Sequence, residues 1–158
     1  MKLLILSDTH GNYPLAIKAL EMAGRIDRIF HLGDGIDDAR IIEEITGHRI
    51  IKVPGNCDLS APEPREILTV MAGKLILATH GDGYNVKAGL ALLHKKALQE
   101  NAGIVLYGHT HAGFAGELDG ILFVNPGCLR YKWPDTSYAV VSIDSAGRTS
   151  ARIFPISA

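Results

Sequence analysis

The sequence predicts an α/β (α+β) fold in which mixed β-sheets pack against one another with helices outside. Three observations carry that expectation. Apolar runs of strand length alternate with helical periodicity in the first third, paired β-rich runs flank turn signals later, and 158 residues at 47% hydrophobic suit one domain, 1–158, with a substantial core.

Lys2 to Leu6 is a near-continuous apolar run, as expected of a strand covered on both faces. The loop Ser7-Asp8-Thr9-His10-Gly11-Asn12 follows. Asn12 reads as the N-cap of a helix with Pro14 in its first turn and Leu15, Ala19, Met22 and Ala23 at helical spacing as far as Gly24. The pattern then repeats. Arg28 to Leu32 is a short strand, Gly33-Asp34-Gly35 a loop, and Ile36 to Thr46 a helix that Gly47 can cap. His31, inside that strand, reads as a core histidine or a neighbour of a site. A third strand, Arg49 to Val53, runs into Pro54-Gly55-Asn56-Cys57-Asp58, and the prolines of Ser60-Ala61-Pro62-Glu63-Pro64 forbid a regular helix there.

The second half changes character. Ile67 to Ala72 and Leu75 to Thr79 flank Gly73-Lys74 as a hairpin, and the second run delivers His80-Gly81-Asp82-Gly83. From about Asn85 to Asn101 the spacing predicts the longest helix, with Val86, Leu90, Leu93 and Ala97 opposite Lys87, His94 and Lys95, which places His94 in solvent. Ile104 to Tyr107 is a strand ending in Gly108-His109-Thr110-His111. Phe114 to Leu118 and Ile121 to Val124 flank the hairpin signal Asp119-Gly120, and Tyr138 to Ile143 and Thr149 to Phe154 flank Asp144-Ser145-Ala146-Gly147.

Charge and composition exclude several functions. A net charge of -1 gives no electrostatic footprint for long nucleic acid, and Lys95-Lys96 reads as a solvated helix face. Two cysteines, Cys57 and Cys128, are too few for a disulfide framework, so a reducing cytoplasm is the expected setting. The amino-terminal apolar run is too short for a signal-peptide core or a membrane span.

A His-x-His pair alone supports a metal site no better than it supports surface or packing histidines. Its company decides. Five strand-to-loop junctions offer oxygen or nitrogen donors, namely Asp8 and His10, Asp34, Asn56, His80, then His109 and His111. Carboxylates mixed with imidazoles and an amide carbonyl suit Mn²⁺, Fe or Zn²⁺ rather than a cysteine-built structural zinc. Seven donors are too many for one tetrahedral ion, and two ions sharing a bridging carboxylate would use them all.

The ordered set Asp8-Thr9-His10, Gly33-Asp34, Gly55-Asn56, His80-Gly81 and Gly108-His109-Thr110-His111 resembles the signature of the calcineurin-like metallophosphoesterase superfamily. With Gly55-Asn56-Cys57-Asp58 and Asn125-Pro126-Gly127, the chain looks most like that superfamily's small bacterial and archaeal phosphodiesterases. The resemblance implies a four-layer αββα sandwich. It also implies that Asp8, His10, Asp34 and His111 hold one divalent ion while Asp34, Asn56, His80 and His109 hold the other, with Asp34 bridging. Manganese is the expected metal, with iron, zinc, nickel or magnesium as alternatives. The implied reaction is in-line attack on a small phosphoester by a hydroxide held between the two ions. Asn12 and Asn125 are candidates for shaping the site, Asn12 having a plain helix cap as its simpler reading.

Two departures matter. Many members place a histidine after the Gly-Asn, where it resembles a proton donor to the leaving group, whereas this chain has Cys57, a less suitable acid near pH 7. Asp58 is the alternative donor, or a loop carboxylate that orients a neighbour. Asn56, Cys57, Asp58 and His80 therefore form the candidate catalytic set. Asp82 stands where related chains carry a histidine soon after the His-Gly, which leaves its role open. Cys128 reads as a small buried residue.

The competing class is a non-catalytic metal-binding scaffold or interaction module of the same fold, as in the vacuolar-sorting subunit of retromer. The filled donor set favours the enzyme. A nuclease on long DNA or RNA is disfavoured by charge. Specificity is expected from the loops around 58–66 and 131–136, where Trp133 is a base-stacking, packing or homo-oligomer contact.

Overall fold

The computed structural model describes residues 1–157. In chain order the elements are β1 (Lys2–Leu6), α1 (Tyr13–Ala23), β2 (Arg28–His31), α2 (Ile36–Thr46), β3 (Ile50–Lys52), β4 (Glu66–Met71), β5 (Lys74–Thr79), a 3-10 turn (Asp82–Tyr84), α3 (Ala91–Glu100), β6 (Ile104–Leu106), β7 (Gly113–Leu118), β8 (Ile121–Pro126), β9 (Ser137–Ile143) and β10 (Thr149–Pro155). They form two mixed five-stranded sheets, ordered β10-β9-β1-β2-β3 and β4-β5-β6-β8-β7. Within these, β1, β2 and β3 run parallel, as do β5, β6 and β8, so the loops after them leave from common edges.

Alternating side chains build the layers. Leu3 and Ile5 of β1 enter the core between the sheets with Phe30, Ile76, Leu106 and Val141, while Leu4 and Leu6 face Leu15, Ala19, Ala39 and Ile42 of α1 and α2. On the far sheet Leu77, Val105 and Phe123 pack on Leu93 and Ala97 of α3. The result is the expected αββα sandwich. Full burial of one such aliphatic side chain stabilises the fold by roughly 1.5–3 kcal/mol, so the apolar strands are held from both faces.

The three hairpins form, the first with its turn one residue earlier than expected, at Ala72-Gly73 instead of Gly73-Lys74, since Met71 pairs with Lys74. Ala72-Gly73 and Asp119-Gly120 carry φ of 46°, 76°, 49° and 76°, the doubly left-handed backbone that matches strand twist. The expected helix from Asn85 to Asn101 is shorter. Gly89, at φ 137°, breaks the chain before Ala91, and Val86 and Leu90 reach the α3 core from an irregular segment. His94 is not in solvent: its ring packs edge-on against Phe123, centroids 6.0 Å apart, with Nε2 3.2 Å from Asp119 Oδ2 beneath the β7–β8 turn. Met22 points outward rather than into the α1 core. Asn12 precedes α1 but makes no side-chain cap, because its amide donates instead to the Leu129 carbonyl at 2.7 Å.

Candidate metal centre

Asp8 and His10 follow β1, Asp34 follows β2, Asn56 follows β3, His80 follows β5, and His109 and His111 follow β6. Backbone bonds stitch these loops together: the Asp8 N–H donates to the Gly33 carbonyl at 2.9 Å, that of His10 to Asp34 at 3.1 Å, and that of Gly108 to His80 at 3.0 Å. Asp8, His10, Asp34, His109 and His111 all sit at positive φ, between 45° and 67°. Such backbone costs of order 1–3 kcal/mol per residue and persists only where surroundings over-determine it. Its concentration in donor residues marks a functional site. The motif glycines answer a second constraint, close approach. A Cβ on Gly55 would overlap the Asp34 carboxylate, and one on Gly108 would overlap the Ser7 hydroxyl.

All seven expected donors come together, in two clusters. In one, Asp8 Oδ1 lies 3.1 Å from His111 Nε2 and 3.9 Å from His10 Nε2. In the other, His80 Nε2 lies 3.1 Å from His109 Nδ1 and 3.2 Å from Asn56 Oδ1. Asp34 Oδ2 stands between them, 3.8 Å from His10 Nε2 and 3.6 Å from His80 Nε2.

The donor chemistry fits divalent cations. The His80 Nδ1–H donates to the Leu32 carbonyl at 2.7 Å, which leaves a lone pair on Nε2 facing the oxygens of Asn56 and Asp34. His10 Nε2 is buried with no hydrogen-bond partner among the described residues. Burial pushes His109 below its ordinary pKa and favours the neutral ligating form. Burial raises Asp8, but the hydrogen bonds from His111 and Ser7 outweigh it, so the carboxyl titrates below its usual range and stays anionic. Lone pairs and buried negative charge aimed at two points are what cations complete.

The remaining candidates sit around this centre. Cys57 is exposed at its rim, its N–H donating to Asp34 Oδ1 at 2.8 Å. Burial of the sulfur, with the Asp34 and Asp58 carboxylates beside it, pushes the thiol up, so it keeps its proton at neutral pH. Asp58 turns toward backbone: Oδ2 accepts from the N–H groups of Asp34 at 2.7 Å and Gly55 at 2.9 Å, and Oδ1 from Gly35 and Ile36 at 3.1 Å each. Asp82 points to Arg65 at 2.6 Å. Asn125 donates to the Gly108 carbonyl and Thr110 Oγ1, both at 2.9 Å, and shapes the His-x-His loop. Trp133 packs edge-on against the His111 ring, centroids 5.0 Å apart, and Cys128 is buried.

Three residues escaped the sequence reading. Ser7 donates to Asp8 Oδ2 at 2.5 Å, and Thr9 donates to Asp38 Oδ2 at 2.5 Å while lying 3.1 Å from His31 Nε2. His31 completes this brace by accepting from the Gly33 N–H at 3.3 Å; burial pushes it down to about 4, so it is neutral. Thr9 occupies the free position of Asp-x-His, and Asp38 differs from exposed Asp37 only in its burial, which spacing does not reveal.

Comparison with known proteins agrees with this geometry. Residues 1–146 match the model of the calcineurin-like phosphoesterase superfamily domain. The chain is 31% identical over 149 residues to a phosphodiesterase, MJ0936, of Methanocaldococcus jannaschii, covering 83% of this chain and 86% of that one. A crystal structure from Streptococcus pneumoniae TIGR4, titled as a predicted phosphoesterase, superposes with a TM-score of 0.76 at 28% identity over 98% of this chain and 97% of that chain. Vacuolar protein sorting 29 of Cryptosporidium parvum reaches the same TM-score at 18% identity, over 99% and 98% of the two chains, a likeness of fold alone.

Proposed function

Because the chain belongs to the calcineurin-like phosphoesterase superfamily, we propose that it is a phosphodiesterase that hydrolyses a small phosphoester with two divalent cations in its seven-donor centre. One observation carries the binuclear reading: a single oxygen, Asp34 Oδ2, faces the open nitrogens of both His10 and His80. Asp8, His10, His111 and Asp34 would hold one cation, and Asp34, Asn56, His80 and His109 the other. Manganese suits this hard oxygen and imidazole set, with iron, zinc, nickel or magnesium as alternatives.

Cations bound there supply a lowered pKa for water and compensation of phosphoryl charge during in-line displacement. The protein's own groups do the rest. Asp8 and Asp34 contribute buried negative charge, the Leu32 carbonyl fixes the His80 tautomer, and the brace of His31, Thr9 and Asp38 keeps the β1 and β2 loops in register. Cys57, protonated at the rim, is the group placed to give a proton to the leaving oxygen. Asp58 acts through others, by anchoring the backbone of Asp34 and Gly55.

The scaffold reading rests on a shared fold, and the convergence of the seven donors supports the enzyme over it. Among the described residues, no helix is long and apolar enough to cross a membrane. The test is a phosphoester screen on protein stripped with a chelator and reloaded with Mn²⁺. A well-folded, metal-replete sample that cleaves nothing in the screen would overturn it.

A further inference from the structure

Cys57 does more than line the rim. Its Sγ, His10 Nε2 and an Asp34 carboxylate oxygen all lie within 4.8 Å of one another, a third donor group overlapping the first cation cluster. Donor atoms on one tetrahedral zinc sit roughly 3.3–3.8 Å apart, so a small rotation of this exposed side chain closes the set. His10 Nε2 has no partner among the described residues that such a rotation would break, and the backbone of Cys57 is already tied to Asp34. The sulfur accepts a long contact from the Asn56 amide at 3.6 Å, and its thiol already turns to the Asp34 carboxylate, a partner in the set.

We infer that Cys57 is a metal-selecting residue, recruited with His10 and Asp34 as a ligand by thiophilic divalent cations and left free by hard ones. The inference rests on the metal-centre reading above and deepens it. As the sulfur-to-metal bond forms, the S–H bond breaks and its proton passes to solvent. Zinc, cadmium and cobalt favour a thiolate ligand, whereas manganese and magnesium are satisfied by oxygen and imidazole. A thiophilic cation therefore binds more tightly and also removes the proton at the rim. The hard cation leaves that proton in place.

The probe is Co²⁺, titrated into metal-free protein while bound cobalt is counted and the near-ultraviolet sulfur-to-cobalt charge-transfer band is followed. The wild type should develop the band, Cys57→Ser should bind cobalt without it, and Cys128→Ser should keep it. Cd²⁺ affinity should fall by about 10-fold or more in Cys57→Ser while Mn²⁺ affinity holds, since removing a metal-site group weakens binding on that scale. Cobalt bound without a band in the wild type, or a band that survives in Cys57→Ser, would overturn the inference and leave the metal centre intact. Cobalt that does not bind at all would overturn both.

Discussion

His80 Nε2 lies 3.6 Å from Asp34 Oδ2 and offers it a lone pair rather than a proton, because the ring's one N–H is committed to Leu32. Two acceptors held face to face in a buried site repel unless positive charge sits between them. His10 Nε2 meets the same oxygen from the other side at 3.8 Å. The protein carries this arrangement, together with left-handed backbone at five donor residues, at a cost in its own stability.

Asp34→Asn should therefore lose nearly all turnover and bind both cations more weakly, since a neutral amide cannot compensate two neighbouring charges. Its fold should hold, because the amide oxygen can still accept from the Cys57 N–H and the amide NH2 relieves the buried like-with-like contacts with His10 and His80. Metal analysis beside an assay checks this. Two metals per chain and near-normal turnover would mean that Asp34 does not bridge.

Asp58→Ala should destabilise the protein by about 2–4 kcal/mol, because the N–H groups of Asp34, Gly35, Ile36 and Gly55 lose a charged acceptor. Denaturant unfolding measures the loss. A variant as stable as the wild type would show that Asp58 is free for another task, such as proton donation.

Much of this was legible in the sequence for a physical reason: period-two burial and glycine-marked turns are local signals, and each donor stands where a strand ends. Paired distances were not legible. Spacing placed Asp58 and Asp82 near the site, but only packing shows one carboxylate gathering backbone N–H groups and the other turned to Arg65. Periodicity extended α3 through Gly89 because Val86 and Leu90 fall on its stripe, and the left-handed backbone there overrides the pattern. His94 looked solvated because its cover comes from a distant hairpin turn. Ser7, Thr9 and Asp38 carry no motif of their own and gain meaning only from contacts.

With Cys57 in place of a histidine, substrates whose leaving group departs readily without protonation should be turned over better than alkyl phosphoesters. A thiol, with an ordinary pKa of about 8.5, is a less suitable acid than a histidine near neutral pH. Cys57→His should help poor leaving groups more than good ones. Rates across a series of leaving-group pKa values test this, and the same flat line for both proteins would contradict it.

Away from the site, Glu43 receives Lys52 Nζ at 2.5 Å and the Ile50 N–H at 2.7 Å. Burial raises its carboxyl, but these bonds outweigh burial and leave it below the ordinary 4.5. A lowered folded value means that the contribution is full above pH 4.5 and is lost as pH falls through the folded value. Partial exposure limits it to roughly 1 kcal/mol. Glu43→Gln should flatten this part of the acid-side stability curve, and an unchanged curve from chemical denaturation would rule the pair out as its source.

Removal of metal separates enzyme from scaffold. Chelator-treated protein should lose phosphodiesterase activity and regain it with Mn²⁺, because in the proposed reaction the bound cations activate the attacking water and meet phosphoryl charge. His109→Ala should cripple that recovery. It deletes the nitrogen 3.1 Å from His80 Nε2 while keeping the backbone N–H that donates to Asp8 Oδ2 at 3.1 Å, so the loop retains its anchor. The backbone at this residue has φ 67°, and His109→Asn, which tolerates that conformation better, guards against a folding artefact. Both variants should melt near the wild type, hold less metal and lose at least about 100-fold in rate, the upper end of what disturbing a metal site's supporting groups costs. A scaffold predicts the reverse. Its feeble phosphatase signal would persist in both variants, ignore the chelator, and separate from the protein on further purification.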